Sequence, residues 1–497
     1  MEKNLLLSIF LIFVACDNLL DVDPTDQYSS EMFWLDKEQY DAALTGCYRS
    51  FHNALSMFNS ETDMITPNAV AYNEANDTKN IGRGAGTTTS SLFLTFWRNS
   101  YRGIGRANTL LDKIDLATFE ESEKNQIKGE ALFIRALYYS ILVDNFGDCP
   151  LITETPDAKK HGKLPRTSRS EVINQIITDL NTAAGLLPLK NSTSNIGRAT
   201  KGAALSLKSR VLLYEGRWEE AAQAAKEVID LKVYDLFPNY RGMYLPENEN
   251  NQEVIFDIQY KVPYFTHGLD NAIQKLNRPA PTKDLVDAYL MTDGKPITES
   301  PIYNPVKPYE NRDPRLHQTV VCIGYKYNGK ITKIQDVMTT GFGSKKFTSY
   351  PDDQTVKINI GNSELNPIVI RYAEVLLTYA EALNESGSVP NEEVYSALNK
   401  IRKRPTVNMP EIQPGLSKEQ MREVIRLERR IELALEGFYN SDIRRWRIAE
   451  IVNNKPVLNH ENKLYENRTF NKNRDYLWPI PADEIVENSN LVQNPGW

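Results

Sequence analysis

Cys16 is the residue whose surroundings point most directly to a covalent chemistry. A largely apolar run from Leu5 to Ala15 ends against it, Lys3 is the only positive charge before that run, and small Ala15 stands just before the cysteine. The run is shorter than the roughly 20 apolar residues of a bilayer-spanning helix and has the length of a signal-peptide core. A cysteine at that point reads as a bacterial lipobox, in which the thiol is acylated and residues 1–15 are removed. Phe13 and Glu2 depart from the commonest form of that pattern, and an ordinary secretory signal with an incidental cysteine is the alternative. The acidic stretch 17–26 suits a solvated tether. No later segment approaches membrane-spanning length, so the lipid is the expected sole anchor and everything past Cys16 is expected to be soluble.

Patterns for catalysis are missing. His460-Glu461 lacks the second histidine that a zinc-protease pair carries four residues after the first. Gly82-Arg-Gly-Ala-Gly86 has neither a strand before it nor a Lys-Ser/Thr after it, as a phosphate loop requires. Five scattered histidines and Cys47, Cys149 and Cys322 show no zinc spacing, so no metal and no cofactor are expected. Three widely spaced cysteines make no disulfide framework. Carboxylates are numerous, and counting them does not decide whether two form a glycosidase pair. A net charge of −7 argues against nucleic acid, which needs a basic face.

The elements that would position a site are mostly helical. About 480 of the 497 residues remain after the signal, enough for a large core, with 41% hydrophobic and 25% charged residues. Ile127, Ala131, Ile134, Leu137, Tyr138, Ile141, Leu142 and Phe146 recur at spacings of three and four, predicting a helix over 127–146 that Gly147 ends. The stretch 201–231 predicts two helices broken at Gly216, with Trp218 opening the second. Such Ala-rich pairs resemble tetratricopeptide repeats. A second pair is predicted at 370–385 and 391–402, and a further helix at 418–435 with Ser417 as N-cap. Between 233 and 365 Pro, Asn, Tyr, Gly and Asp crowd the chain, and short alternating runs such as 254–260 and 329–334 read as strands or loops. The expected organisation is therefore a signal (1–15), a lipidated tether (16–26), a helical region (27–232), a loop-rich insertion (233–365) and a C-terminal helical region with a tail (366–497).

A set of strings, in this order, resembles the SusD/RagB family of outer-membrane nutrient-binding lipoproteins from Bacteroidetes. They are Leu20-Asp-Val-Asp-Pro-Thr25, Tyr101-Arg-Gly-Ile-Gly-Arg-Ala-Asn-Thr-Leu-Leu111, Gly129-Glu-Ala-Leu-Phe-Ile-Arg-Ala-Leu-Tyr-Tyr139 running to Phe146-Gly-Asp, and Asn311-Arg-Asp-Pro-Arg-Leu316. They continue with Ile370-Arg-Tyr-Ala-Glu-Val-Leu-Leu-Thr-Tyr-Ala-Glu-Ala-Leu-Asn384, Glu428-Arg-Arg-Ile-Glu-Leu-Ala434, Arg444-Arg-Trp446, Leu477-Trp-Pro-Ile-Pro481 and Gln493-Asn-Pro-Gly-Trp497. The resemblance implies a mostly α fold with tetratricopeptide-like pairs as scaffold and a looped subdomain at the ligand site. It further implies a lipoprotein on the outer leaflet that is not an enzyme, captures a glycan and delivers it to a SusC-like TonB-dependent transporter. A peptide ligand is the alternative within the family, and a helical glycoside hydrolase the alternative outside it.

Ligand candidates are sought off the periodic stripes. Phe93, Trp97, Tyr101 and Ile104 follow helical spacing, so Trp97 is expected to be buried, and Trp446 and Trp478 are judged the same way. Glu130 and Arg135 lie in a helix and are expected to make structural pairs. Glu428, Arg429, Arg430, Glu432, Arg444 and Arg445 read as a salt-bridge network between two helices. A sugar presents an apolar C–H face to an aromatic ring and hydroxyls to polar side chains. The polar, Gly/Thr-rich stretch 68–89 offers Tyr72, Asn76 and Arg83 for this, with Asn73 and Asp77 beside them. The insertion offers Tyr264, Phe265, Tyr303 and Tyr309, with Tyr260 and His267 nearby. In the family such a loop and the insertion together form the site.

Overall fold

The computed structural model describes residues 33–54, 58–72, 77–269, 272–273, 278–357 and 361–497. The scaffold is built from α1 (Lys37–Ala54), α2 (Ser91–Ile114), α3 (Glu121–Phe146), α4 (Arg169–Leu186), α5 (Lys201–Tyr214), α6 (Trp218–Asp230), α7 (Tyr372–Ser386), α8 (Glu392–Arg402), α9 (Lys418–Glu432) and α10 (Tyr439–Arg445). Local chemistry sets most of their ends. Ser168 and Glu171 form a capping box at α4, as Ser417 and Gln420 do at α9, while Thr200 and Asn391 cap α5 and α8. The left-handed backbone at Gly147 closes α3, and that at Gly216 turns the chain between α5 and α6. Gly103 serves close approach instead: a Cβ there would lie 1.9 Å from a ring carbon of Tyr138, so its absence lets α2 and α3 pack together.

The core is continuous across this scaffold. It takes residues from Tyr40 of α1 to Leu491 of the tail, and it includes Ile255 and Phe256 of the insertion. Trp97 and Trp478 are 3% exposed. The Trp478 ring lies 5.1, 5.0 and 5.7 Å from those of Phe93, Phe96 and Phe146, which locks the C-terminal Trp-Pro string into the α2–α3 pair. Trp446 is half-buried and donates to Glu381 at 2.7 Å. Arg135 forks onto Asp179 at 2.8 Å through two nitrogens, and buried Glu130 accepts from the Tyr48 hydroxyl at 2.7 Å. These are structural pairs, as expected from their helical placement.

The strands are short and paired in twos. Ala69–Val70 (β1) pairs with Ala280–Pro281 (β3), Val254–Asp257 (β2) with Ile368–Arg371 (β8), Val320–Cys322 (β4) with Phe342–Ser344 (β7), Lys326–Tyr327 (β5) with Lys330–Ile331 (β6), and Val457–Leu458 (β9) with Leu464–Glu466 (β10), all antiparallel. Two sequence expectations, the start of one helix and the end of another, are corrected here. Ile370 and Arg371 belong to β8 rather than to the helix that follows, because their partners across the ladder are Phe256 and Val254. The runs read as strands or loops contain both: strand covers Val254–Asp257 of 254–260 and Lys330–Ile331 of 329–334. Helix α9 stops at Glu432, three residues early. The Glu432 carbonyl is taken by the Tyr240 hydroxyl (2.7 Å), Arg371 (2.8 Å) and Lys346 (3.1 Å), that of Ala434 by Lys346 (2.9 Å), and Leu435 turns left-handed.

Around that helix end sits a buried ion network. Arg315 pairs with Asp313, Glu428 and Glu432, Arg371 with Glu253, Glu432 and Glu436, Arg404 with Glu253 and Glu432, Arg402 with Glu428, and Lys346 with Glu436. Five cations face five carboxylates, so charge balances without solvent. The guanidiniums hold Glu432 and Glu436 below the usual carboxylate range against the opposing effect of burial, and burial pushes Lys346 down to about 8. A second cluster joins α9 to α10: Arg429 pairs with Asp442, Arg445 with Asp442 and Glu381, and Arg444 with Asp144 of α3. The six residues expected to pair between two helices are all in ion pairs but none with one another: Glu428 and Glu432 face cations of the insertion, β8 and the end of α8, Arg430 meets Asp284, and α9 reaches α10 through Asp442. No described helix is long and apolar enough to cross a membrane.

Candidate ligand-binding site

The root of the N-terminal loop is fixed before any ligand arrives. Arg468 donates to the carbonyls of Met64 (2.9 Å), Thr66 and Ala69 (2.8 Å). Asn68 donates to Asp63 and accepts from Arg430, each at 2.9 Å, and its carbonyl takes the Thr282 amide at 3.0 Å. Burial pushes the Asp63 carboxyl up to about 6. The β1–β3 pairing then joins this loop to the insertion, and Ser344 and Thr340 donate to the carbonyls of Pro279 and Pro281, adding β7 to the same platform. The loop and the insertion are thus brought together.

Tyr72 follows this anchored strand and is 52% exposed. Ala71, its neighbour, lies in a hydrophobic cluster with Phe342, and Tyr309 and Tyr325 pack on that cluster from outside. The Tyr309 ring lies 5.8 Å from Phe342 and 6.3 Å from Tyr325, and His317 stacks on Tyr325 at 4.2 Å while bonding the Tyr309 carbonyl at 2.8 Å. Tyr309 is therefore partly a packing residue, with its hydroxyl pKa pushed up by burial. Tyr303 is half-buried in the same insertion, close enough to Tyr309 and Arg312 to influence their ionisation. Arg83 pairs with Glu466 of β10 at 3.1 Å. Beside it, Lys79 lies over the Tyr465 ring and donates to its hydroxyl at 3.1 Å.

Tyr264 and Phe265 form a separate group. Lys261 and Phe265 exchange two backbone hydrogen bonds of 2.8 Å, making a tight turn whose tip carries Tyr264 at 79% exposure and Phe265 at 40%. The turn leans on the end of α1. Arg49 sits 5.0 Å from the Phe265 ring centre, His52 stacks 5.3 Å from Phe265 and 4.6 Å from Tyr260, and Tyr260 meets His267 at 4.5 Å. His52 and His267 bond the carbonyls of Gln259 and Leu365, and burial lowers both imidazole pKa values, favouring neutral rings. Sequence reasoning missed Arg49, His52, His317 and Tyr325. Nothing local to α1 marks Arg49 and His52, since their ring partners lie in the insertion. Asn73, Asn76, Cys16 and the tether lie outside the described residues.

The comparisons with known proteins bear on the whole chain. Residues 247–497 match the model of the SusD family, and residues 18–213 match a model described as starch-binding associating with outer membrane. The chain is 27% identical to SusD-like protein P2 of Formosa agariphila, over 98% of each chain. It is 24% identical to the starch-binding protein SusD of Bacteroides thetaiotaomicron, over 79% of this chain and 76% of that one. Among solved structures, a SusD-like carbohydrate binding protein from Bacteroides fragilis superposes with a TM-score of 0.85 at 28% identity, covering 93% of this chain and all of the other. With one model matching its C-terminal half and full-length relatives on the same fold, the chain belongs to the SusD family.

Proposed function

We propose that this protein is a surface-exposed outer-membrane lipoprotein that captures a glycan and delivers it to a SusC-like TonB-dependent transporter, without changing a covalent bond in it. In this reading Cys16 carries the lipid, residues 16–26 form the tether, the helical regions 27–232 and 366–497 are scaffold, and the insertion 233–365 supplies part of the ligand site. The observation that carries it is the placement of exposed tyrosines on a fixed frame. Tyr72 follows the anchored strand β1 and Tyr264 sits in the turn closed by Lys261 and Phe265, and neither makes a hydrogen bond or ring contact among the described residues. A ring held that way offers its face to the C–H side of a pyranose with little ordering cost. The relatives support the ligand class: one is named a starch-binding protein, and solved neighbours include a laminarin binding SusD-like protein.

Isothermal titration of the full chain against oligosaccharides and peptides tests the reading. Saturable binding of a glycan with no product released on incubation is expected; release of shorter sugars would establish a hydrolase, and binding of peptides alone would move the ligand class. Radiolabelled palmitate should enter the wild-type chain and not Cys16→Ala, and a TonB-dependent transporter should co-purify with the chain from outer membranes.

A further inference from the structure

A groove between the α4–α5 loop and the start of the insertion has the chemistry of a second sugar site. It has a volume of about 430 Å³, within the range of roughly 300–1,000 Å³ typical of small-molecule sites. One wall is the loop between α4 and α5; the other is the chain from Val233 to Asp257. Both walls are held in place. The Lys201 amide bonds the Pro188 carbonyl at 2.9 Å, Asp235 and Gln252 are joined at 3.0 Å, and Asn251 donates to the carbonyls of Met243 and Asn248. Little conformational freedom remains to be lost on binding.

The lining mixes apolar surface with amides and hydroxyls, and Lys190, Arg198 and Asp257 are its charged members. Asn191 donates to the Arg198 carbonyl at 2.6 Å, and its Oδ1 is buried with no partner among the described residues. Asn250 has left-handed backbone (φ 56°), and its side chain meets Gln259 at 3.4 Å. The Tyr234 and Thr200 hydroxyls bond each other at 2.9 Å. Gln259 also holds the buried Asp257 carboxylate, at 2.6 Å. Arg198 leans towards Asp41 and Glu130 at 3.6 and 3.8 Å, so its charge is opposed outside the groove. Amides and hydroxyls in this proportion pair with neutral O–H groups, which donate and accept at once. The rim is apolar where a C–H face would rest: Leu189 is 50% and Ile196 46% exposed.

We propose that this groove binds one or two residues of a neutral oligosaccharide, as a site separate from the Tyr72 and Tyr264 surfaces. The proposal rests on the glycan-binding reading above, and the two fail differently. The test is titration of the full chain with maltoheptaose, laminarihexaose, xylohexaose and chitohexaose. The groove variants are Asn250→Gly, which keeps the left-handed backbone and removes the amide, and Ile196→Asp at the exposed rim; the comparison variant is the double change Tyr72→Ala with Tyr264→Ala. Thermal unfolding accompanies each, so a misfolded variant is recognised.

Two binding events are expected for at least one glycan, with the groove variants removing one of them at least tenfold in affinity and the tyrosine variant weakening the other. A single event lost only in the groove variants also supports the groove, and overturns the tyrosine surfaces as the site. A single event weakened by the tyrosine change and untouched by either groove variant overturns the groove and leaves the glycan reading standing. Silence of the wild-type chain across all four sugars overturns both.

Discussion

The buried ion network and the exposed tyrosines make opposite use of polar and aromatic side chains. Around the end of α9 five cations and five carboxylates are packed away from water, each with a partner within ion-pair distance. At Tyr72 and Tyr264 large rings are left in solvent beside backbone that is tied down. Charge inside a protein is costly unless it is paired, so the first region can only be structural: a ligand entering it would have to break a balanced set. A ring left in solvent on anchored backbone is free to meet a ligand with little ordering cost. The difference separates residues that hold this protein together from those available to contact a ligand, even though both regions contain the family strings or lie next to them.

The largest effect should come from unbalancing the network. Arg371→Ala leaves Glu253, Glu432 and Glu436 sharing fewer cations in a water-free site. A loss of about 3–5 kcal/mol is expected, seen as a fall of many degrees in the calorimetric unfolding temperature. A shift of only a degree or two would break the comparison, because the network would then be ornamental. Next in size is Gly103→Ala, where the new methyl collides with the Tyr138 ring and should cost about 1–3 kcal/mol.

The network also sets a dependence on pH. Arginine neighbours hold Glu432, Glu436 and Glu381 below the ordinary range, Glu381 at about 2. A depressed carboxylate contributes stability that is present above its unfolded value, about 4.3, and lost as pH falls through the folded one. Burial pushes Glu130 and Asp63 the other way, to about 7 and about 6. Those two favour the protonated form in the fold, so their effect is to lower stability as pH rises from about 4 to about 7. The unfolding temperature should therefore peak near about pH 4 to 5 and fall on both sides. Glu130→Gln should flatten the decline towards neutrality while leaving the acid limb unchanged.

How legible these regions were in the sequence differs for a physical reason. The helices of the scaffold follow from local spacing: Ala204, Leu207 and Val211 define α5, Gly216 ends the turn, and Ser417 starts α9. The buried tryptophans were legible for the same reason, since Trp97 shares a stripe with Phe93 and Ile104. Of the two ion clusters the helical strings show Glu428 and Glu432 in one and Arg429 and Arg445 in the other, without the partners of either pair. Glu253, Lys346, Arg371 and Arg404 were not legible, because each reaches its partner from a different element and no spacing rule links them. The placement of Ile370 and Arg371 in a strand escaped for that reason too: the ladder to β2 is a long-range choice that overrides a helical stripe. The candidate site was legible as a set of loop aromatics and not as an arrangement. Tyr309 turned out to be half packing residue and Arg83 an ion-pair partner, and the supporting rings of His52 and His317 came from segments with no pattern to announce them.

The smallest expected effects fall on the exposed tyrosines, and they sharpen the comparison most. Tyr72→Ala and Tyr264→Ala remove exposed rings that make no hydrogen bond or ring contact among the described residues, so each should change stability by no more than about 0.5 kcal/mol. If either ring stacks on a sugar, its loss should cost roughly 0.5–1.5 kcal/mol of binding, a drop of about 2- to 12-fold in affinity. Phe265→Ala makes the control, because that ring also supports the Arg49 and His52 stack. It should lower the unfolding temperature measurably where Tyr264→Ala does not. Equal losses of stability for Tyr264 and Phe265 would mean that the turn is held by its tip, and Tyr264 would then belong with the packing residues rather than with the ligand surface.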